Sequence, residues 1–89
     1  MKQTKIEELN QAYNEVIKSY YDGRSTRNTR NIKQDIFISK ITRVNWFNEF
    51  FSTINTQDKI VNRECISQLV KKFNSIRKTN HQINDIIYN

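Results

Sequence analysis

Apolar positions in this chain recur mostly at spacings of three and four, the mark of helices buried along one face. They are densest over residues 44–54, VNWFNEFFSTI. Wound as one helix, Val44, Trp46, Phe47, Phe50, Phe51 and Ile54 fall inside an arc of about 160°, and the polar residues take the remainder. Four of the aromatic side chains lie within these residues. Each buried ring removes roughly 150–250 Å² from water, so the stripe is expected to supply much of the core. The competing reading is an exposed surface for a partner or membrane, or a face shared across a homodimer. Few other large apolar side chains are available to build an interior, which favours the core.

The flanking patterns predict further helices. Over residues 4–21, Ile6, Leu9, Tyr13, Val16, Ile17 and Tyr20 form one stripe, with Thr4 and Glu7 placed as a capping box. Gly23 is expected to end that helix in the left-handed conformation. Residues 24–29 lack any apolar side chain and read as a loop, after which Asn31 and Gln34 could cap a second helix. Over residues 32–41, Ile32, Ile36 and Phe37 suit a helix, whereas Ile38 and Ile41 fall off that face. The β-branched run would also allow a strand, but a lone strand has no partner in a short chain, so a helix is expected, with room for a break near Thr42 before the aromatic stretch. NTQD reads as a polar linker. From residue 58 or 62 to 78 a longer helix is expected, striped by Val61, Cys65, Leu69, Phe73 and Ile76, with Ile66 and Val70 widening it. Thr79 and Gln82 then mark a short terminal helix carrying Ile83, Ile86 and Ile87.

Composition agrees with helices. The chain has 89 residues, one glycine and no proline, and tight-turned β folds lean on both. The expectation is all-α: a small single-domain bundle of three to five helices over residues 1–89. Apolar content is 36% and mean hydropathy −0.82, offset by thirteen isoleucines. No apolar run approaches the ~18 residues of a membrane span, and the first residues lack the apolar core of a signal peptide. Cys65 stands alone, which excludes an internal disulfide and suits a cytoplasmic setting. Abundant Asn, Ile and Lys are typical of an AT-rich genome, such as that of a phage or plasmid.

Charge narrows the partner. Net charge is +6 and the pI about 9.7, favouring nucleic acid or an acidic protein surface. The excess flanks the aromatic stretch, at +5 over residues 23–43 and +4 over residues 59–89. Arg24, Arg27, Arg30 and Lys33 recur every third residue among Ser, Thr and Asn. Guanidinium forks beside short polar donors suit phosphate oxygens, and a period of three aligns them on an extended segment. The plain alternative is a solvated linker. Residues 45–76 also outline a helix-turn-helix whose second helix would present Arg63, Ser67, Gln68, Lys71 and Lys72, although any helical bundle offers such a pair.

Catalysis finds little support. His81 has no second His or Cys placed to share a metal. Cys65 sits in an apolar stripe as a small hydrophobe, and no carboxylate pair is spaced for acid–base work. With one glycine there is no phosphate-binding loop. No cofactor, metal or catalytic residue is expected. The reading is a basic, non-enzymatic binding protein: a nucleic-acid-binding or regulatory protein of a phage, plasmid or AT-rich bacterium. The alternative is an inhibitor or adaptor from a mobile element, acting on an acidic or nucleic-acid-binding surface of a host or defence protein.

Overall fold

The computed structural model describes the backbone of residues 2–88 and the side chains of residues 5–88. Among the described residues six helices follow one another: α1 Lys2–Tyr21, α2 Arg27–Val44, α3 Phe47–Ser52, α4 Thr56–Val61, α5 Arg63–Arg77 and α6 Ile83–Ile87. No strand occurs among the described residues. The all-α expectation holds, but the count exceeds three to five by one because α4 forms as a separate helix ahead of Asn62, and the boundaries differ at two places. Helix α1 starts ahead of Thr4, whose capping side chain lies outside the described residues.

The first division falls in the aromatic stretch. Asn45 takes a left-handed conformation, φ 56°, while its N–H still reaches the Ile41 carbonyl, so α2 closes there. Asparagine tolerates this region better than most L-residues. Trp46 is non-helical and α3 begins at Phe47. The six apolar residues therefore do not share one continuous helix. They converge all the same: Phe47, Phe50 and Phe51 are buried, and Val44, Trp46 and Ile54 pack against them. The three phenylalanines are thus core and not an exposed face, while Val44, Trp46 and Ile54 are half-buried at its edge.

The second division is at Asn62. NTQD is a helix start, not a linker. Asn55 Oδ1 accepts from the Asp58 N–H at 2.8 Å and Asn55 Nδ2 donates to the Asp58 carboxylate at 3.0 Å. That reciprocal pair resembles a capping box. Helix α4 ends after six residues, and Asn62 alone joins it to α5. Val61 is consequently out of register with the stripe below it and is 70% exposed. Cys65, Ile66, Leu69, Val70 and Phe73 are buried as expected, whereas Ile76 is exposed. No polar turn of helix-turn-helix length precedes α5.

Helix α2 corrects the pattern over residues 32–41. Its inner face is Gln34, Phe37, Ile38 and Ile41, spaced at i, i+3, i+4 and i+7. Ile32 and Ile36 face outward. A glutamine on the buried stripe hid the periodicity. Thr26, not Asn31, caps the helix, accepting from the Thr29 N–H at 3.1 Å. The turn before it needs no left-handed glycine: the Asp22 carboxylate accepts from the Arg24 N–H at 2.9 Å, and the Ser25 N–H reaches the Asp22 carbonyl.

The core unites all the long helices. Tyr13 of α1 lies 5.7 Å from Phe50 and 5.9 Å from Phe51, centroid to centroid, and Phe37 lies 5.4 Å from Phe50. Phe47 stacks on Phe73 of α5 at 4.1 Å. Asn74 folds the end of the chain back: its amide donates to the His81 carbonyl at 2.9 Å, and its Oδ1 accepts from the Thr79 hydroxyl and the His81 N–H. That turn carries α6 inward, burying Ile86 and Ile87. Thr79 thus serves Asn74 and caps nothing, and Gln82 at the α6 start makes no side-chain cap bond.

Two sets of variants test this architecture. Phe50→Ala should destabilise by roughly 3–5 kcal/mol, whereas Asn48→Ala, outside the core, should leave the melt near wild type; equal melts would refute the aromatic core. Gly23 has open space where a Cβ would sit and no positive φ, while Lys78 holds φ 54°. Gly23→Ala and Lys78→Gly should therefore each raise stability, by about 0.4–1 kcal/mol, as read from chemical denaturation.

Candidate binding cleft

Where α1 ends and α2 and α5 begin, Tyr20, Arg27, Arg30, Asn31, Glu64 and Gln68 line a polar cleft of about 430 Å³. Its shape follows from the Thr26 cap. Because Thr26 starts a helix, Arg27, Arg30 and Asn31 occupy i, i+3 and i+4 and share one face. The same fact disperses the three-residue cationic period. An α-helix turns 100° per residue, so each third residue is displaced by about 60°. Arg27 faces the cleft, Arg30 is anchored at its wall, and Lys33 has rotated towards α1, 3.8 Å from the Glu15 carboxylate.

Arg30 is held on two sides. Its Nε donates to the Ser19 carbonyl at 3.1 Å, and its guanidinium carbon lies 5.2 Å from the centre of the Tyr20 ring, within cation–π range. Among the described residues the rest of that guanidinium makes no hydrogen bond, so it remains able to donate into the cleft. Tyr20 in turn accepts from Gln34 Nε2 at 3.0 Å, and Gln34 Nε2 also donates to Gln68 Oε1 at 3.0 Å. A side chain 1% exposed therefore ties α1, α2 and α5 together under the cleft. Gln34 Oε1 has no partner among the described residues. Exchanging the amide's O and N would leave the other end unpaired instead, so one end is unsatisfied in either assignment. Burial pushes the Tyr20 phenol above its ordinary value, opposed by the Gln34 hydrogen bond and the Arg30 charge.

Of the eight residues singled out by sequence, the cleft gathers three: Arg27, Arg30 and Gln68. Arg24 is exposed in the preceding turn. Lys72 spans to α2 as an ion pair with Asp35 at 3.0 Å, and Arg63 donates to Asn84 Oδ1 at 2.9 Å. Lys71 is exposed, with no ion pair among the described residues. Of the face expected over residues 63–72, Arg63, Gln68 and Lys71 are exposed and Ser67 and Lys72 half-buried, while Arg63, Gln68 and Lys72 also bond to side chains of other helices. Tyr20, Asn31 and Gln34, expected in a core stripe and a helix cap, are cleft residues or supports, and Glu64, which carried no sequence signal, lines the cleft as well. The spacing of Gln34 with Phe37, Ile38 and Ile41 was the available signal, since a polar residue on a buried face implies a polar partner.

Comparison with protein families, with curated proteins and with solved structures finds no match for this chain. The reading therefore rests on geometry.

Cys65, Lys59 and His81 are absent from the cleft lining. Cys65 is buried, and burial pushes its thiol up to about 12. Lys59 is buried, donates to the Ile86 carbonyl at 3.0 Å, and has its pKa lowered by burial. The His81 ring rests 5.3 Å from Phe47 and 5.5 Å from Phe73, half-buried rather than exposed. No three His, Cys, Asp or Glu side chains cluster as metal ligands among the described residues.

Cys65 offers a direct measurement. The folded thiol keeps its proton up to about pH 12, whereas an ordinary thiol releases it near 9.0. Between those values the unfolded chain binds fewer protons, so stability falls as pH rises above about 9. Wild type should lose more stability than Cys65→Ala between about pH 8 and 10. Native Cys65 should react slowly with a thiol reagent and quickly in denaturant. Fast native labelling would contradict its burial.

Proposed function

We propose that this chain is a non-enzymatic binding protein that engages nucleic-acid phosphates through the α1–α2–α5 cleft, as a small nucleic-acid-binding or regulatory protein. The observation that supports this most is the meeting of Arg27, Arg30, Asn31 and Gln68 in one polar recess. Two guanidinium groups provide charge-assisted donors, and two amides provide donors and acceptors of fixed direction. Arg30 is pre-oriented by Ser19 and Tyr20, so less side-chain freedom is lost on binding. Arg24 and Lys71, exposed and without ion pairs among the described residues, add a long-range attraction for a polyanion. No helix among the described residues is long and apolar enough to cross a membrane.

One feature of the cleft favours the alternative, a protein partner. Glu64 shares the recess with the arginines. A carboxylate there repels phosphate but accepts hydrogen bonds from a partner's own donors, so a surface carrying both acids and donors also fits.

Binding to random duplex DNA and to single-stranded RNA, measured over a salt series, separates the two readings. Each phosphate neutralised on duplex DNA contributes a slope of about −0.9 in log K against log salt. Arg24→Gln with Arg27→Gln should flatten the slope by roughly 2 units while stability stays within about 0.5 kcal/mol of wild type. Arg30→Gln should weaken binding and also lower stability, because its Nε bond and ring contact are lost. Absence of measurable affinity for either nucleic acid at low salt would overturn the nucleic-acid reading and leave the protein partner.

A further inference from the structure

On the face formed by α1 and α2, away from the cleft, acids on one helix run beside lysines on the other. Glu8, Ala12 and Glu15 of α1 and Lys33, Ile36 and Lys40 of α2 line a groove of about 280 Å³. The two helices run antiparallel, with Lys33 level with Glu15 at 3.8 Å. Moving seven residues along each, two turns at 3.6 residues per turn, brings Lys40 level with Glu8. Between these two pairs sits Ile36, a large apolar side chain left 45% exposed.

We propose that this groove is a homodimer interface, occupied by the same groove of a second copy of this chain about a two-fold axis running along it. That operation lays α1 of each copy over α2 of the other at the same height. Glu15 then faces Lys33 of the second copy, Glu8 faces Lys40, and Ile36 faces the small Ala12. Every charge in the groove meets its opposite. The other in-plane two-fold, across the helices, would set Glu8 against Glu15 and Lys33 against Lys40, so like charges reject it. A polyanion gains little here, because the two lysines are balanced by two glutamates. The surface that matches this spacing with inverted signs is the groove itself. Lys5 and Arg43 extend the two rows by one helical step and meet across the axis as like charges, which keeps the association weak and reversible.

Sedimentation velocity and a charge-swap mixture test the pairing. Wild type at submillimolar concentration and low salt should sediment at twice the 10.8 kDa chain mass, shifting towards monomer as salt is raised. Glu8→Lys with Glu15→Lys makes both rows positive, and Lys33→Glu with Lys40→Glu makes both negative. Each double variant alone should be monomeric, and an equimolar mixture should recover the dimer. Arg43→Glu should tighten the wild-type pair several-fold by facing Lys5. Ile36→Asp, at an exposed position, should abolish the dimer with the circular dichroism melt unchanged, which keeps the test valid if a charge-swapped chain fails to fold. A monomeric wild type, a folded mixture that stays monomeric, or an Ile36→Asp chain that still dimerises would overturn the proposal.

Discussion

Asn45 holds φ at 56°, and on that one left-handed residue depends the delivery of three phenylalanines into the centre of the chain. Had α2 continued through residue 54, Phe47, Phe50 and Phe51 would have been carried along its axis, away from α1 and α5. Ending α2 at Val44 and restarting at Phe47 lets the short α3 set its rings against Tyr13, Phe37 and Phe73 in a single cluster. Aliphatic side chains such as Leu9, Val16, Ile38, Ile66 and Leu69 complete the interior around that cluster. The strain of a non-glycine left-handed residue, on the order of 1–2 kcal/mol, is small against the burial of even one ring. Arg77 steadies the turn, its Nη2 lying 3.4 Å from Asn45 Oδ1.

Gln34 plays the corresponding part among the polar contacts. It sits on the buried face of α2 beside Phe37 and Ile38, where an aliphatic residue would pack more simply. Its Nε2 instead holds Tyr20 of α1 and Gln68 of α5. Inside a protein such bonds are stronger than in water and more costly to leave unmade, so they fix the relative rotation of three helices. The cleft above inherits that order. Arg30, locked by Ser19 and Tyr20, is part of the same arrangement.

Charge in this molecule is divided by use. Lys33 and Lys72 link helices, Arg63 reaches an asparagine on α6, and Lys59 is buried against a backbone carbonyl. Arg24 and Arg27 remain outward before and at the start of α2, and Lys71, Arg77 and Lys78 along and just after α5, while the α1–α2 face is balanced between lysine and glutamate. A net charge of +6 thus describes no uniform basic surface. It includes one recess with a guanidinium bias and one groove that is neutral but striped.

Much of the fold was legible in the residues themselves. Stripes at spacings of three and four in residues 6–20 and 65–73 marked faces that are indeed buried, because burial of one helical face imposes that period wherever it occurs. The aromatic residues of 44–54 were legible as core for the same reason. The breaks were legible only in part: an interruption ahead of the aromatic stretch and a helix start at residue 62 were expected, but neither the left-handed Asn45 nor the short α4 was. Asn45 and Asn62 carry no apolar signal, and whether an asparagine closes a helix, caps one or faces water depends on the direction the chain must take to reach its neighbours. The inward glutamine was hidden because its partners, Tyr20 and Gln68, are 14 and 34 residues distant. The cationic repeat was plain in sequence, but its geometry was decided by a single threonine cap that made it helical and sent its members to different neighbours. Local periodicity determines which residues are buried. Only the tertiary structure decides which polar side chains meet, since those meetings depend on separations along the chain that no local pattern records.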